Sequence, residues 1–158
     1  MRGKVPLTRR YLTAIGVAAA VVAVDLLTKR YAAATFADKP ETLIPGFLLL
    51  TYTENPGAAF SLFTGAGPYL GLAAIAVSGF VLGALRAARP KIEVVAMGLV
   101  LGGALGNLAD RVFRGDGFLD GKVIDWVELW RIPTFNVADA SITVAVALLL
   151  IHAWQTRS

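Results

Sequence analysis

An all-α membrane fold, four membrane-crossing helices with a small extracytoplasmic β-sheet cradle and an interfacial segment, is what the sequence predicts. Three observations predict it. Of the 158 residues, 56% are hydrophobic and only 16% are charged, more apolar than a soluble domain of this length. The mean hydropathy is +0.65. The apolar residues are also gathered into four blocks, each near the ~20 residues a bilayer crossing takes, and aromatic, β-favouring segments lie between them.

The first block predicts a span over about residues 11–27. Its basic start, "MRGKVPLTRR", and the run "AIGVAAAVVAV" resemble a cleavable signal. The run instead continues into Asp25 and Lys29, and three more spans follow. The outer insert, about residues 34–67, contains "PGFLLLTYTENPGAAFSLF". Its aromatic and β-branched content predicts a sheet or hairpin at the membrane surface, broken at Asn55-Pro56-Gly57. The second and third spans are expected at about 68–85 and 93–109. The glycines of "MGLVLGGALGN" place the third inside the bundle, because small residues let helices approach closely in lipid. "VIDWVELWRIPTF" (123–135) reads as an interfacial segment, with tryptophans at headgroup depth. The fourth span is expected at about 137–154. Residues 1–158 form a single domain.

Lysine and arginine counts orient the bundle. The N-terminal tail, the turn from Arg86 to Lys91 and the C-terminal tail hold Arg2, Lys4, Arg9, Arg10, Arg86, Arg89, Lys91 and Arg157, opposed only by Glu93. That face is predicted to be cytoplasmic, with both termini inside and the two long connections outside. The same clustering accounts for the net charge of +4 without nucleic acid as a partner.

Composition narrows the chemistry. With no cysteine, disulfides, thiol catalysis and thiolate metal sites are excluded. His152 is the sole histidine, so a Ser-His-Asp triad or a multi-histidine zinc centre is hard to build, and it reads as an interfacial residue. Polar residues at span ends are then the informative ones, because lipid makes them costly. Asp25 and Lys29 are four apart on one helix face, as a structural ion pair would be. Glu54, Asn55 and Ser61 surround a turn, where Asn55 is either a turn former or a donor to a substrate backbone. Gly103, Asn107 and Asp110 share a face of the third span, and Arg111 either holds Asp110 ionised or ties the helix end to the outer loop. Asn136 and Asp139 stand where a helix N-cap is expected. Asp125 lies between Ile124 and Trp126 with no capping role. Two aspartates on converging elements can share a proton and act as acid and base on a water. Asp125 with Asp139 and Asp110 with Asp139 both satisfy that pattern.

"DLLTK" (25–29), "NPGAAFS" (55–61), "GALGNLADR" (103–111), "VIDW" (123–126) and "FNVADASI" (135–142) occur in that order. This set resembles the motifs of the prokaryotic lipoprotein signal peptidases (signal peptidase II) over nearly the whole chain. The resemblance implies an aspartic endopeptidase of the bacterial inner membrane. Such an enzyme cleaves the signal peptide of diacylglyceryl-modified prolipoproteins just before the lipidated cysteine, with its site at the outer leaflet. It implies Asp125 and Asp139 as the catalytic pair. Asp25, Lys29, Asn55, Gly57, Gly106, Asn107, Asp110, Arg111, Asn136 and Ala138 are implied as supporting residues. It also implies prolipoproteins and membrane lipids as partners of a monomer, and no metal or other cofactor. The rival from another class is a small transporter or channel, with Asp25, Lys29, Asp110 and Asp139 along a polar path. Against that rival, the charges cluster at one side of the bundle. A non-catalytic lipid-binding subunit, the other alternative, would have no use for paired aspartates on two elements.

Overall fold

The structure is a computed structural model and describes residues 5–57 and 65–157. Arg2, Lys4, Ser61 and the Ala58–Phe60 part of the "NPGAAFS" motif lie outside the described residues.

Four helices are long and apolar enough to cross a membrane: α1 (Leu7–Thr35), α2 (Gly67–Ala84), α3 (Lys91–Phe113) and α4 (Val137–Gln155). The predicted spans are present, but α1 runs eight residues past its expected end. At 1.5 Å per residue it is about 44 Å long, more than the hydrocarbon core requires. It continues because Asp25 and Lys29 neutralise each other inside the bundle (2.7 Å apart), and because the alanines that follow favour helix. It closes where the Phe36 N–H donates to Ala32 O and the buried Phe36 ring meets Tyr31 edge-on.

α3 is the central helix. In its apolar stretch 44% of residues are buried, against 17–22% in the other three. Glycine makes this possible. A Cβ on Gly102 would lie 2.6 Å from Val21 Cβ of α1, and one on Gly103 2.5 Å from Ala138 O of α4. α3 therefore presses its backbone against both neighbours, where dispersion contacts drive association in lipid. At the far end from the sheet, Ala14, Leu85 and Val94 form one buried cluster and Ala18, Val81 and Leu101 another, joining α1, α2 and α3. That end also gathers the N-terminal segment, the α2–α3 turn and the end of α4. Val5 N–H donates to Arg89 O, Arg10 caps the carbonyls of Arg86 and Ala87, and His152 Nε2 stands 3.7 Å from Glu93.

The opposite end carries a four-stranded antiparallel sheet in the order β1 (Glu41–Ile44), β2 (Leu48–Asn55), β3 (Val123–Leu129), β4 (Ile132–Phe135). The insert breaks at Asn55-Pro56-Gly57 as its turn signal predicts: β2 ends at Asn55, since proline has no N–H for a ladder. The β1–β2 hairpin turns at Gly46, whose φ of +71° suits a tight turn. One expectation is corrected here. Residues 123–135 are not a separate interfacial segment but the second half of the same sheet. β3 pairs with β2 along most of its length, and its apolar Val123 and Ile124 are buried beneath it. β4 then runs through Asn136 straight into α4.

Candidate active site

Asp125 and Asp139 reach the same place from opposite kinds of element. Asp125 sits in β3 opposite Thr53 of β2, two positions from the pair Asn55 and Val123. That register brings Asn55 beside it, and Asn55 Nδ2 donates to Asp125 Oδ2 at 3.0 Å. The Asn55 carbonyl oxygen also accepts from the Gly57 N–H (3.0 Å). Asn55 is thus a turn former and an aspartate donor at once. Asp139 is in the first turn of α4, in a capping box with Asn136. Asn136 Oδ1 accepts from Asp139 N (2.9 Å), and Asp139 Oδ2 accepts from Asn136 N (3.4 Å).

Asn136 does more than cap. Fully buried, it spends its Nδ2 on Asp125 Oδ1 (2.7 Å), Ile124 O (3.2 Å) and Asn107 Oδ1 (3.1 Å). One residue therefore bridges the two carboxylates, Asp125 through its side-chain amide and Asp139 through its backbone N–H. Asn107 of α3 completes the ring, with its Nδ2 donating to Asp139 Oδ1 at 2.7 Å and its Oδ1 accepting from Lys29 Nζ at 3.0 Å.

Behind this layer is a buried ionic one. Lys29 lies 2.7 Å from Asp25 and 2.8 Å from Asp110, with all three side chains at most 1% exposed. Asp110 is also paired with Arg114 (2.7 Å) and accepts from the Ile124 N–H (3.3 Å). Two cations against two carboxylates leave no net charge, the condition under which ions persist beside lipid. Asp25 turns its other oxygen to the Ala138 N–H (2.9 Å), one of the free donors of the first turn of α4. Gly106 allows this approach, for a Cβ there would sit 2.8 Å from Asp25 Oδ2. Arg111 does not hold Asp110. Adjacent helical side chains diverge, whereas those four apart align, so Arg114 takes the carboxylate. Arg111 instead donates to Gly57 O (3.1 Å) and Gly121 O (3.2 Å). It ties α3 to the end of β2 and to the loop before β3, the second of its two expected roles.

The front of the network opens on a cavity of about 620 Å³. α2 contributes Leu70, Ala73, Ala74 and Val77, and α3 contributes Val100, Gly103 and Asn107. Val123 and Asp125 come from β3, Phe135 from β4, and Asp139 and Ile142 from α4. Among the described residues, Asp125 and Asp139 are the only carboxylates on its wall. Asn55, Gly57, Asn107 and Arg111 also line it, while Asp25, Lys29, Gly106, Asp110, Asn136 and Ala138 stand behind. A second hollow, of about 220 Å³ between the hairpin tips, has Glu128 as its single carboxylate. The main cavity is polar at the sheet end and apolar toward Val77 and Val100. Burial pushes the Asp125 carboxyl up to about 6; donation from Asn55 opposes this, and the neighbouring Asp139 charge adds to it.

Sequence reasoning missed Arg114, whose i+4 spacing from Asp110 was the available signal. It also missed the α2 wall, whose small apolar residues look like any span. No group of histidines, cysteines and carboxylates among the described residues is arranged to hold a metal ion.

Comparison with known proteins yields one family. The family model for signal peptidase (SPase) II matches residues 17–155. The chain is 43% identical over 147 residues to the lipoprotein signal peptidase of Rhodococcus jostii, covering 90% of this chain and 73% of that protein. It is 40% identical over 149 residues to the lipoprotein signal peptidase of Thermosynechococcus vestitus, covering 89% and 90%. Among solved structures, a bacterial membrane enzyme determined by the in meso method at 2.3 Å superposes with a TM-score of 0.79 at 30% identity. That match covers 100% of this chain and 94% of the other.

Proposed function

This chain belongs to the signal peptidase II family, and from that premise we propose that it removes signal peptides from lipid-modified prolipoproteins as an aspartic endopeptidase, with Asp125 and Asp139 as the catalytic pair. The observation that carries the reading is geometric. Two carboxylates from separate elements face one cavity, and a single buried residue, Asn136, is bonded to both: its side-chain amide donates to Asp125 Oδ1 and its backbone N–H to Asp139 Oδ2.

The mechanism follows from the unequal surroundings of the pair. Asp139 accepts from Asn107, whose own amide oxygen accepts from the Lys29 ammonium, and it faces the cavity. Asp125 is buried and its pKa lies near 6, which favours the protonated form. Asp139 then takes a proton from a water as that water attacks the scissile carbonyl, and Asp125 donates its proton to the carbonyl oxygen. In the tetrahedral intermediate both carboxyls remain hydrogen-bonded to the two hydroxyl oxygens, one from the former carbonyl and one from the water. Asp139 passes its proton to the leaving amine and Asp125 recovers its own, so the dyad ends as it began. The step needs no cofactor and no metal.

The remaining features suit such a substrate. Its signal segment is an apolar helix and its cysteine carries acyl chains. The apolar depth of the cavity, between α2, α3 and α4, would receive these while the sheet covers the scissile bond. The basic end, with Arg9, Arg10, Arg86, Arg89 and Lys91, faces the cytoplasm by the lysine and arginine rule. The site then lies at the outer leaflet of a bacterial cell membrane, in one domain acting as a monomer. The transporter reading is not supported, since the polar side chains stop at one end of the cavity.

The test is cleavage of a diacylglyceryl-modified prolipoprotein by the detergent-solubilised protein. Asp125→Asn and Asp139→Asn should each abolish cleavage while the protein still inserts and accumulates. Near-normal turnover by Asp125→Asn together with none by Asp110→Asn would transfer the role to Asp110 and Asp139.

A further inference from the structure

The two halves of α2 are held in different ways. Its end away from the sheet is anchored in the core: Val81 and Leu85 are buried against α1 and α3, and the Tyr11 hydroxyl donates to Leu82 O at 2.9 Å. The half nearer the sheet is the cavity wall, and between Gly67 and Val77 only Gly67 and Gly71 are buried. Both meet the α3–β3 loop. A Cβ on Gly71 would lie 3.0 Å from Leu119 Cβ and Cδ1 and 3.2 Å from its Cγ. One on Gly67 would lie 3.0 Å from Arg111 Nη1 and 3.3 Å from Leu119 O. Leu119 therefore seats its side chain in a notch that exists only because α2 lacks side chains there.

Leu119 also holds an unfavourable backbone. Its φ is +56°, a region in which a leucine is strained and for which glycine or asparagine is the usual solution. It is nonetheless 5% exposed in a loop whose neighbour Phe118 is 72% exposed. Such strain persists where surrounding structure compels it. The compulsion here is double. Two residues on, Gly121 is clamped to α3, its N–H donating to Arg111 O and its carbonyl accepting from Arg111 Nη1. Then β3 begins, carrying Val123 and Asp125 into the cavity wall.

We propose that Leu119 is a positioning residue that pins the outer half of α2 against the α3–β3 loop and so sets the width of the substrate cavity between α2 and β3. It touches neither aspartate and works by holding one wall at a fixed distance from the other. This inference rests on the reading that the cavity receives the membrane-bound part of the substrate. It assigns to an apolar loop residue the control of how tightly that part is held.

The experiment is a size exchange. Leu119→Gly accepts the left-handed backbone without cost and removes all three atoms that face Gly71. Gly71→Ala drives a methyl group into Leu119. Each single variant should raise KM for the lipidated substrate by about tenfold and leave kcat within about twofold, since uniform binding is lost while the dyad is untouched. The double variant, in which the methyl enters the space vacated, should have a lower KM than Gly71→Ala alone. An unchanged KM in Leu119→Gly would overturn the proposal. So would a double variant whose KM defects simply multiply, or a fall in kcat at constant KM, which marks loss of folded enzyme. Asp125→Asn, run alongside, separates the two claims. If it cleaves normally, the reading of the site fails; if it is inactive and the Leu119 variants bind normally, only the role of Leu119 fails.

Discussion

Asp125→Asn tests the environment of the dyad as well as its chemistry. Moving the Asp125 carboxyl from its ordinary 3.8 to about 6 corresponds to about 3 kcal/mol, taking about 1.4 kcal/mol for each pK unit. The folded protein holds more protons than the unfolded chain between those two values. Its stability therefore falls as pH rises from 3.8 toward 6 and stays lower above that. Burial is the main cause and the Asp139 charge contributes, so the value belongs to the pair. An asparagine at 125 has nothing to ionise and escapes this loss. It faces two amide donors, Asn55 Nδ2 and Asn136 Nδ2, but has only one carbonyl oxygen. One bond is lost at every pH, a cost of about 1–2 kcal/mol. The informative quantity is therefore the pH dependence of the difference between the two proteins. Glu54, whose pKa is lowered chiefly by its bond from Lys122, has the opposite pH dependence, but it is common to both and cancels. Thermal unfolding in detergent should show the parent losing roughly 5–10 °C relative to Asp125→Asn between pH 4 and pH 7.5, taking roughly 2–4 °C per kcal/mol. Parallel curves for the two proteins would refute the claim that Asp125 is the destabilised carboxylate of this site.

Asp110→Asn should keep measurable cleavage but accumulate poorly, by an amount in the range of about 3–5 kcal/mol for a broken buried ion pair; thermal unfolding and single-turnover rates separate the two effects. Cleavage should survive exhaustive EDTA and fall on both sides of a pH optimum, with the alkaline limb set by loss of the Asp125 proton. Loss in EDTA restored by a divalent ion would make Asp125 and Asp139 ligands instead. A reporter active only outside the cytoplasm should be silent when fused after Arg157 and active when placed near Gly117; the reverse pattern would invert the bundle.

Much of this protein was legible from its sequence because the bilayer is a demanding solvent. Four apolar blocks have few folds open to them, since every backbone group in lipid must be bonded internally. Polar residues that survive at span ends mark themselves by their cost, and eleven of the twelve residues expected at the site lie in one network or on the cavity beside it, while Gly106 packs directly against Asp25. Sequence spacing also suggested that Asp25 pairs with Lys29, since residues four apart share a helix face. Pairings between elements were beyond its reach. Nothing in the order of residues says that Arg111 passes over its neighbour Asp110 to reach Gly57 and Gly121, or that "VIDWVELWRIPTF" is half of a sheet begun at Glu41. Nor does it say that Asn136 caps α4 and bridges both aspartates with the same side chain. The choice between Asp110 and Asp125 as partner of Asp139 was likewise left open by local pattern. The tertiary structure supplies a physical ground for choosing, because it surrounds Asp110 with Lys29 and Arg114 behind the wall and turns Asp125 into the cavity. Periodicity and residue cost are local properties that a chain displays along its length. Register, burial and the convergence of distant carboxylates arise only when the elements pack.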